Sequence, residues 1–263
     1  MSFERAILGR TGIEVGRLGL AASYGAPATV VERAYEHGVN YFYWGSFRRG
    51  GFGDGLRALA SKRDRFLLVT QSYSRLASLI GPSLEHALRT LRFDYTDVLL
   101  LGLWNGPPPP RILDACRKLR ERGLTRFLAI STHNRPLIPS LATDPVADIF
   151  HVRYNAVHRG AEREVFPNLP PQNPPGLVSF TATSWRQLLG HKHIPPGERL
   201  PTAADCYRFV LSQPAVNICM TGPAGDAQFE AALDALRRGP MTEEELAWMR
   251  RVGDAIYGKP RRA

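Results

Sequence analysis

The chain carries two hydrophobic periodicities that take turns along its length. Short, nearly continuous apolar runs occur at Arg17–Ala21, Tyr41–Phe42, Leu67–Gln71, Val98–Leu101, Arg126–Ser131, Ile149–Val152, Leu177–Ala182 and Asn217–Thr221. Strands covered on both faces read this way. Between them lie segments with apolar residues at helical spacing. Thr29–His37 places Val30, Val31, Ala34 and Tyr35 on one stripe. Pro82–Leu91 does so with Leu84, Leu88 and Leu91, and Arg111–Arg122 with Ile112, Ala115, Cys116 and Leu119. Ala203–Leu211 and Ala227–Leu236 follow the same rule. Gly38 and Gly123 stand where helices end, and Thr202 stands where one begins.

Eight strands alternating with helices predict one (β/α)₈ barrel, a TIM barrel, formed as a single domain over residues 1–263. The competing arrangement is a doubly wound open sheet. The first strand, however, lacks the glycine-rich turn such sheets use to hold a dinucleotide. A glycine cluster does occur at Gly50, Gly51, Gly53 and Gly55, but after the second strand. Residues 6–20 read as two short strands joined at Thr11-Gly12, a β-hairpin ahead of the barrel. The Pro-rich stretch Pro167–Pro175 and the Pro195-Pro196-Gly197 turn are connecting loops, because the alternation resumes after each.

Composition narrows the class. The apolar and charged fractions are those of a globular protein, and no apolar run spans a bilayer. The first ten residues hold no apolar core of signal-peptide length, so a cytoplasmic protein without a membrane partner is expected. Cys116, Cys206 and Cys219 form no ligand-spaced pair, which predicts buried thiols and no metal. The net charge of +10 comes from scattered arginines without interleaved aromatics. Nucleic-acid binding is therefore not expected, whereas the positive field favours anionic ligands, a dinucleotide phosphate among them.

Several segments, in order, resemble the aldo-keto reductases over almost the whole chain: LGRTGIEVGRLGL, AYEHGVNYF, SLEHALRTLRFDYTDVLLL, GLTRFLAIS, FHVRYNAVHRG and LSQPAVNICMTGPAGDAQFEAAL. The resemblance implies a barrel that binds NADP(H) or NAD(H) and moves a hydride between it and a carbonyl or alcohol. It also implies an Asp, a Tyr, a Lys and a His at the mouth. The Lys and Asp would lower the phenol's pKa from its ordinary ~10 so that it can give up a proton near neutrality.

At those four positions this sequence has Tyr43, Arg48, Gln71 and Gly102. On the cofactor side, Ser131 matches the residue that holds the nicotinamide carboxamide. Thr132 stands for an Asn, His151 for a Gln, and Thr181 for the Tyr that stacks on the ring. Thr221, Gly222 and Gln228 fit the loop for the adenine phosphate. Ala224 replaces the cation for a 2′-phosphate, and Ala231 and Ala232 replace the Glu-Asn pair near the adenine.

Barrel enzymes place their chemistry at the C-terminal strand ends. The expected catalytic set is Tyr43, Arg48, Gln71 and His133, with Tyr24, Trp44, Trp104 and Asn105 lining a substrate pocket. A cation at Arg48 or Arg49 would make Tyr43 an acid, or Arg48 would clamp an anionic small-molecule substrate. His133 either titrates or caps the helix near Pro136. Gln71 hydrogen-bonds but carries no charge. The expected function is a nicotinamide-dependent oxidoreductase with a non-standard proton path. The alternatives are an elimination or isomerisation on the same barrel, or a non-catalytic nucleotide binder.

Overall fold

The structure is a computed structural model that describes residues 2–45, 49–143 and 146–258. The hairpin leads: β1 (Ala6–Ile7) pairs antiparallel with β2 (Glu14–Val15), and Gly12 turns between them at φ 68°. Eight parallel strands then close on themselves. They are β3 (Leu18–Ala21), β4 (Tyr41–Trp44), β5 (Leu67–Ser72), β6 (Thr96–Leu101), β7 (Thr125–Thr132), β8 (Ile149–Arg153), β9 (Gly176–Phe180) and β10 (Ile218–Thr221). Each pairs with the next, and β10 returns to β3 with Cys219 opposite Leu18.

One helix follows nearly every strand. α1 (Ala28–Glu36), α2 (Phe52–Ala58), α3 (Ala77–Leu91), α4 (Pro110–Glu121), α5 (Leu137–Thr143), the single turn α6 (Ala161–Glu164), α7 (Ala203–Leu211) and α8 (Asp226–Arg238) surround the barrel, and α9 (Glu243–Tyr257) closes the chain. Thr202 caps α7 in a reciprocal box with Asp205, and Gly38 and Gly123 adopt positive φ after α1 and α4.

Strand alternation divides the core in two. Phe42, Leu68, Leu99, Ile130 and Phe150 face the helices, whereas Tyr41, Val69, Leu100, Ala129 and Val178 fill the barrel. Leu8 and Val15 of the hairpin join the interior set and close the barrel's N-terminal end. Among the described residues, the C-terminal end is the one that opens into a cleft.

Two expectations shift. α3 begins at Ala77, more than a turn before Pro82, because Ile80 extends the buried stripe and its packing outweighs the missing proline N–H. The glycine cluster belongs to helix packing. A Cβ on Gly55 would lie 2.6 Å from Val31 Cβ, and one on Gly53 would lie 3.0 Å from the Trp44 ring. These glycines let α2 approach α1 and β4 closely.

Candidate functional site

A cleft of about 910 Å³ opens at the C-terminal end of the barrel. Its floor follows from strand parity. Tyr41 and Tyr43 point inward from β4 while Phe42 and Trp44 point outward. Gln71 of β5, Ser131 of β7 and His151 of β8 reach the cleft on the same inward face, with Ser131 and His151 directly opposite in the ladder.

The barrel end of the cleft is uncharged. His151 lies fully inside, and burial drives its pKa down from 6.5 to about 3, so it is a neutral imidazole. The Tyr41 hydroxyl sits 2.8 Å from His151 Nε2. Tyr43 folds back over Gly45, donates to its carbonyl at 3.3 Å, and shares a hydrogen bond with Tyr73. Burial, followed by the neighbouring Tyr73 and Tyr41 phenols, pushes the Tyr43 pKa far above its ordinary value, and Arg49 offsets only a little of this. The Arg49 guanidinium stacks on Trp44 instead, 4.4 Å from the ring centroid. A tyrosine acid tuned by an adjacent cation is therefore not what Tyr43 and Arg49 build. Arg48 lies outside the described residues.

Gly102 has little room for a side chain. A Cβ at this position would overlap Gln71 Nε2 and lie 2.6 Å from the Tyr73 ring. The side chains at 43, 71 and 73 thus pack as one cluster over a bare glycine. Within it, Gln71 Oε1 is buried and has no hydrogen-bond partner.

Ser131 Oγ accepts the Leu103 amide at 2.9 Å, which leaves its O–H free to donate into the cleft. At the far end, Thr221 Oγ1 and the Tyr207 hydroxyl lie 3.0 Å apart. Gly222 has the Tyr24 ring against it, 2.6 Å from where a Cβ would be. Gln228 Oε1 accepts the Ala224 amide at 2.8 Å and holds this turn closed. The turn leads into α8, whose N-cap Gly225 supplies no side-chain cap.

Five of the expected residues do not line this cleft. Trp44 packs against Phe52 behind β4. Trp104 lies under Arg75, 4.0 Å from the ring centroid. Asn105 braces two loops: its Oδ1 accepts the His133 amide at 3.0 Å and the Thr132 hydroxyl at 3.4 Å. Thr132 is the last residue of β7 and points outward, which gives it that partner. His133 packs on the Phe180 ring at 6.0 Å. Burial and then nearby Arg153 lower its pKa.

The loop after β9 begins at Thr181, which the sequence places on the cofactor side, and continues through Ser184, Trp185 and Arg186, which the sequence assigns no role. All four have positive φ, between 50° and 69°. Left-handed backbone at non-glycine residues costs on the order of 1 kcal/mol each and clusters at ligand sites. Nothing in the types Thr, Ser, Trp and Arg announces it. The Thr181 carbonyl accepts from Asn155 Nδ2 at 2.7 Å, and Trp185 lies over Arg153, 5.6 Å from the ring centroid. Both Trp185 and Arg186 line the cleft.

No family model matches the chain. Among solved structures, it is similar to the holo form of aldo-keto reductase AKR11C1 from Bacillus halodurans. The TM-score is 0.78 and the identity 21% over 96% of this chain and 97% of that one. The apo form of the same protein gives 0.77 and 22%, covering 96% of each chain. At this identity the likeness establishes a shared fold across the whole length.

Proposed function

We propose that the cleft binds a nicotinamide dinucleotide, NADP(H) or NAD(H), and that the chain is an oxidoreductase whose proton path does not run through a tuned tyrosine. One observation carries this reading: a single cleft joins the free Ser131 hydroxyl to the uncapped first turn of α8. Those are the two ends a dinucleotide needs, a donor for a carboxamide and amides for a phosphate.

The residues present fit such a group. Gly222 leaves the Tyr24 ring in contact with bare backbone. The first amides of α8 are left for an anion, and Arg186 brings a cation to the same cleft. Ala224 gives no charge for a 2′-phosphate, so any preference for NADP(H) falls to Arg186. When bound, the nicotinamide supplies or takes up a hydride. Ser131 then orients the carboxamide. His151, neutral and set by Tyr41, offers a hydrogen bond without charge. Tyr43 keeps its proton, because its hydroxyl is engaged by the Gly45 carbonyl and Tyr73 and no lysine lines the cleft among the described residues to stabilise a phenolate. The proton that a reduced product needs would come from water at the open mouth.

The same uncharged cluster favours a second reading, a binder without turnover, and the experiment separates the two. NADPH and NADH are titrated against the chain's tryptophan fluorescence, to which Trp185 contributes from the cleft, with Ser131→Ala as control. The electrophiles assayed next include ones whose reduced form needs no proton at the moment of transfer. Saturable quenching that weakens about tenfold in Ser131→Ala, the loss of one hydrogen bond, supports cofactor binding. Binding without oxidation of the cofactor by any electrophile leaves the binder. No binding of either nucleotide at millimolar concentration removes the proposal.

A further inference from the structure

Eight large hydrophobic side chains are exposed among the described residues, and four of them, Tyr24, Tyr73, Leu103 and Trp185, line the cleft. Such a concentration of exposed apolar surface marks a binding face. Tyr73 and Leu103 stand on adjacent loops beside Gln71 and Gly102, 52% and 41% exposed. Their positions are fixed. Leu103 is held at φ 53°, and its amide donates to Ser131 Oγ. Arg75 donates to the carbonyls of Gly102 at 3.1 Å, Leu103 at 2.8 Å and Tyr73 at 3.4 Å. Its guanidinium is stacked on Trp104, so its charge ties the two loops together and is turned away from the cleft.

The base of this wall is polar but neutral. Gln71 Oε1 is buried and unpaired, and a buried acceptor without a donor is costly unless a ligand supplies one. No Lys, Asp or Glu lines the cleft among the described residues, and its one Arg, Arg186, stands on the loop after β9. A carboxylate or phosphate at the Gln71 end would meet no lining cation there among them, since Arg49, whose charge reaches Tyr43, lies outside the lining and is stacked on Trp44.

We propose that Tyr73, Leu103 and Gln71 form a slot for an uncharged, planar aromatic substrate bearing a hydroxyl or N–H that donates to Gln71 Oε1. This names the substrate class of the same cleft and rests on the reading of that cleft as a dinucleotide site. Tyr73 offers a ring face and Leu103 an apolar edge. Gln71 selects for the donor, because a ring without one leaves the buried acceptor unpaired. Gly102 is the small residue that gives Gln71 and Tyr73 room to take these positions.

Three probes share one ring system: naphthol, methoxynaphthalene and naphthoate. Binding to the full chain is measured by ligand-observed magnetic resonance, with and without saturating NADPH. Naphthol is expected to bind about tenfold more tightly than methoxynaphthalene, the value of one hydrogen bond to a buried acceptor. Naphthoate is expected to bind more weakly than either. Gln71→Met should erase the difference between the two neutral probes, and Tyr73→Ala should weaken both alike. Circular dichroism and the NADPH titration of each variant establish that it folds. Equal binding of the two neutral probes, preference for naphthoate, or no binding of any probe would overturn the slot. If NADPH does not bind but the naphthol preference and its loss in Gln71→Met remain, the dinucleotide reading fails and the slot stands.

Discussion

Replacing Gly102 with Ala tests the cluster that occupies the barrel mouth. The added methyl would overlap Gln71 Nε2 and meet the Tyr73 ring at 2.6 Å. Both must move. Overpacking of this kind costs about 1–3 kcal/mol. The low half of that range applies, since Nε2 ends a flexible side chain and Tyr73 is half exposed. In a chain of this size each kcal/mol lowers Tm by about 2–4 °C. Urea unfolding followed by circular dichroism measures the change. The same measurement on Gln71→Ala and on the double variant gives the coupling, expected near 1 kcal/mol because trimming Gln71 makes room for the methyl. A Gly102→Ala variant as stable as the parent, with no coupling to Gln71, would refute the packing. The same geometry bears on introducing Asp, Tyr, Lys and His at 43, 48, 71 and 102. The histidine lands on Tyr73, so carbonyl reduction should emerge only when Tyr73 is trimmed as well.

Three further outcomes follow from the structure. The His151 imidazole titrates near 3 in the fold against 6.5 when free. The unfolded chain therefore takes up the proton first, and stability falls as pH drops below 6.5 toward 3. By pH 5 that loss is about 2 kcal/mol; denaturant titrations at pH 7 and 5 should show His151→Gln free of it, and an unchanged slope would refute the burial. Asp205 is buried, which raises its pKa, but Arg199 and Thr202 outweigh this and hold it at about 2 against an ordinary 3.8. Its contribution is present above 3.8 and lost as pH falls through 2, and Asp205→Asn should cost about 2 kcal/mol at pH 7 by breaking its pairs with the part-exposed Arg199 and Arg238; calorimetry checks it, and no loss at all would contradict the network. Gly55→Ala should destabilise the chain despite alanine's ~1 kcal/mol advantage in helices, because its Cβ meets Val31; a higher Tm would contradict the α1–α2 contact.

The strands were legible because a strand buried on both faces writes its own length: Leu67–Gln71 is extended by one residue and Ile149–Val152 likewise. α2 was not, since Gly51, Gly53 and Gly55 argue against a helix and only the tertiary contact with Val31 and Trp44 supplies the reason for them. The site was half legible. Parity along β4 brings Tyr43 into the barrel, and the same parity takes Trp44 out. A run of aromatics gives no hint of which member faces inward until the register is known. Asn105 looked like a pocket residue, yet its partners come from residues 132–134, a different strand end. The left-handed loop at Thr181–Arg186 has no signature at all, because its backbone is imposed by neighbours such as Asn155 and not by its own residue types.

A crystal structure of the chain soaked with NADP⁺ tests the central claim most directly. The account predicts the carboxamide against Ser131 Oγ, phosphate oxygens on the first amides of α8, and Gln71, Tyr73 and Tyr43 beside the exposed ring face. Density for the dinucleotide elsewhere, or an empty cleft at millimolar nucleotide, would contradict it.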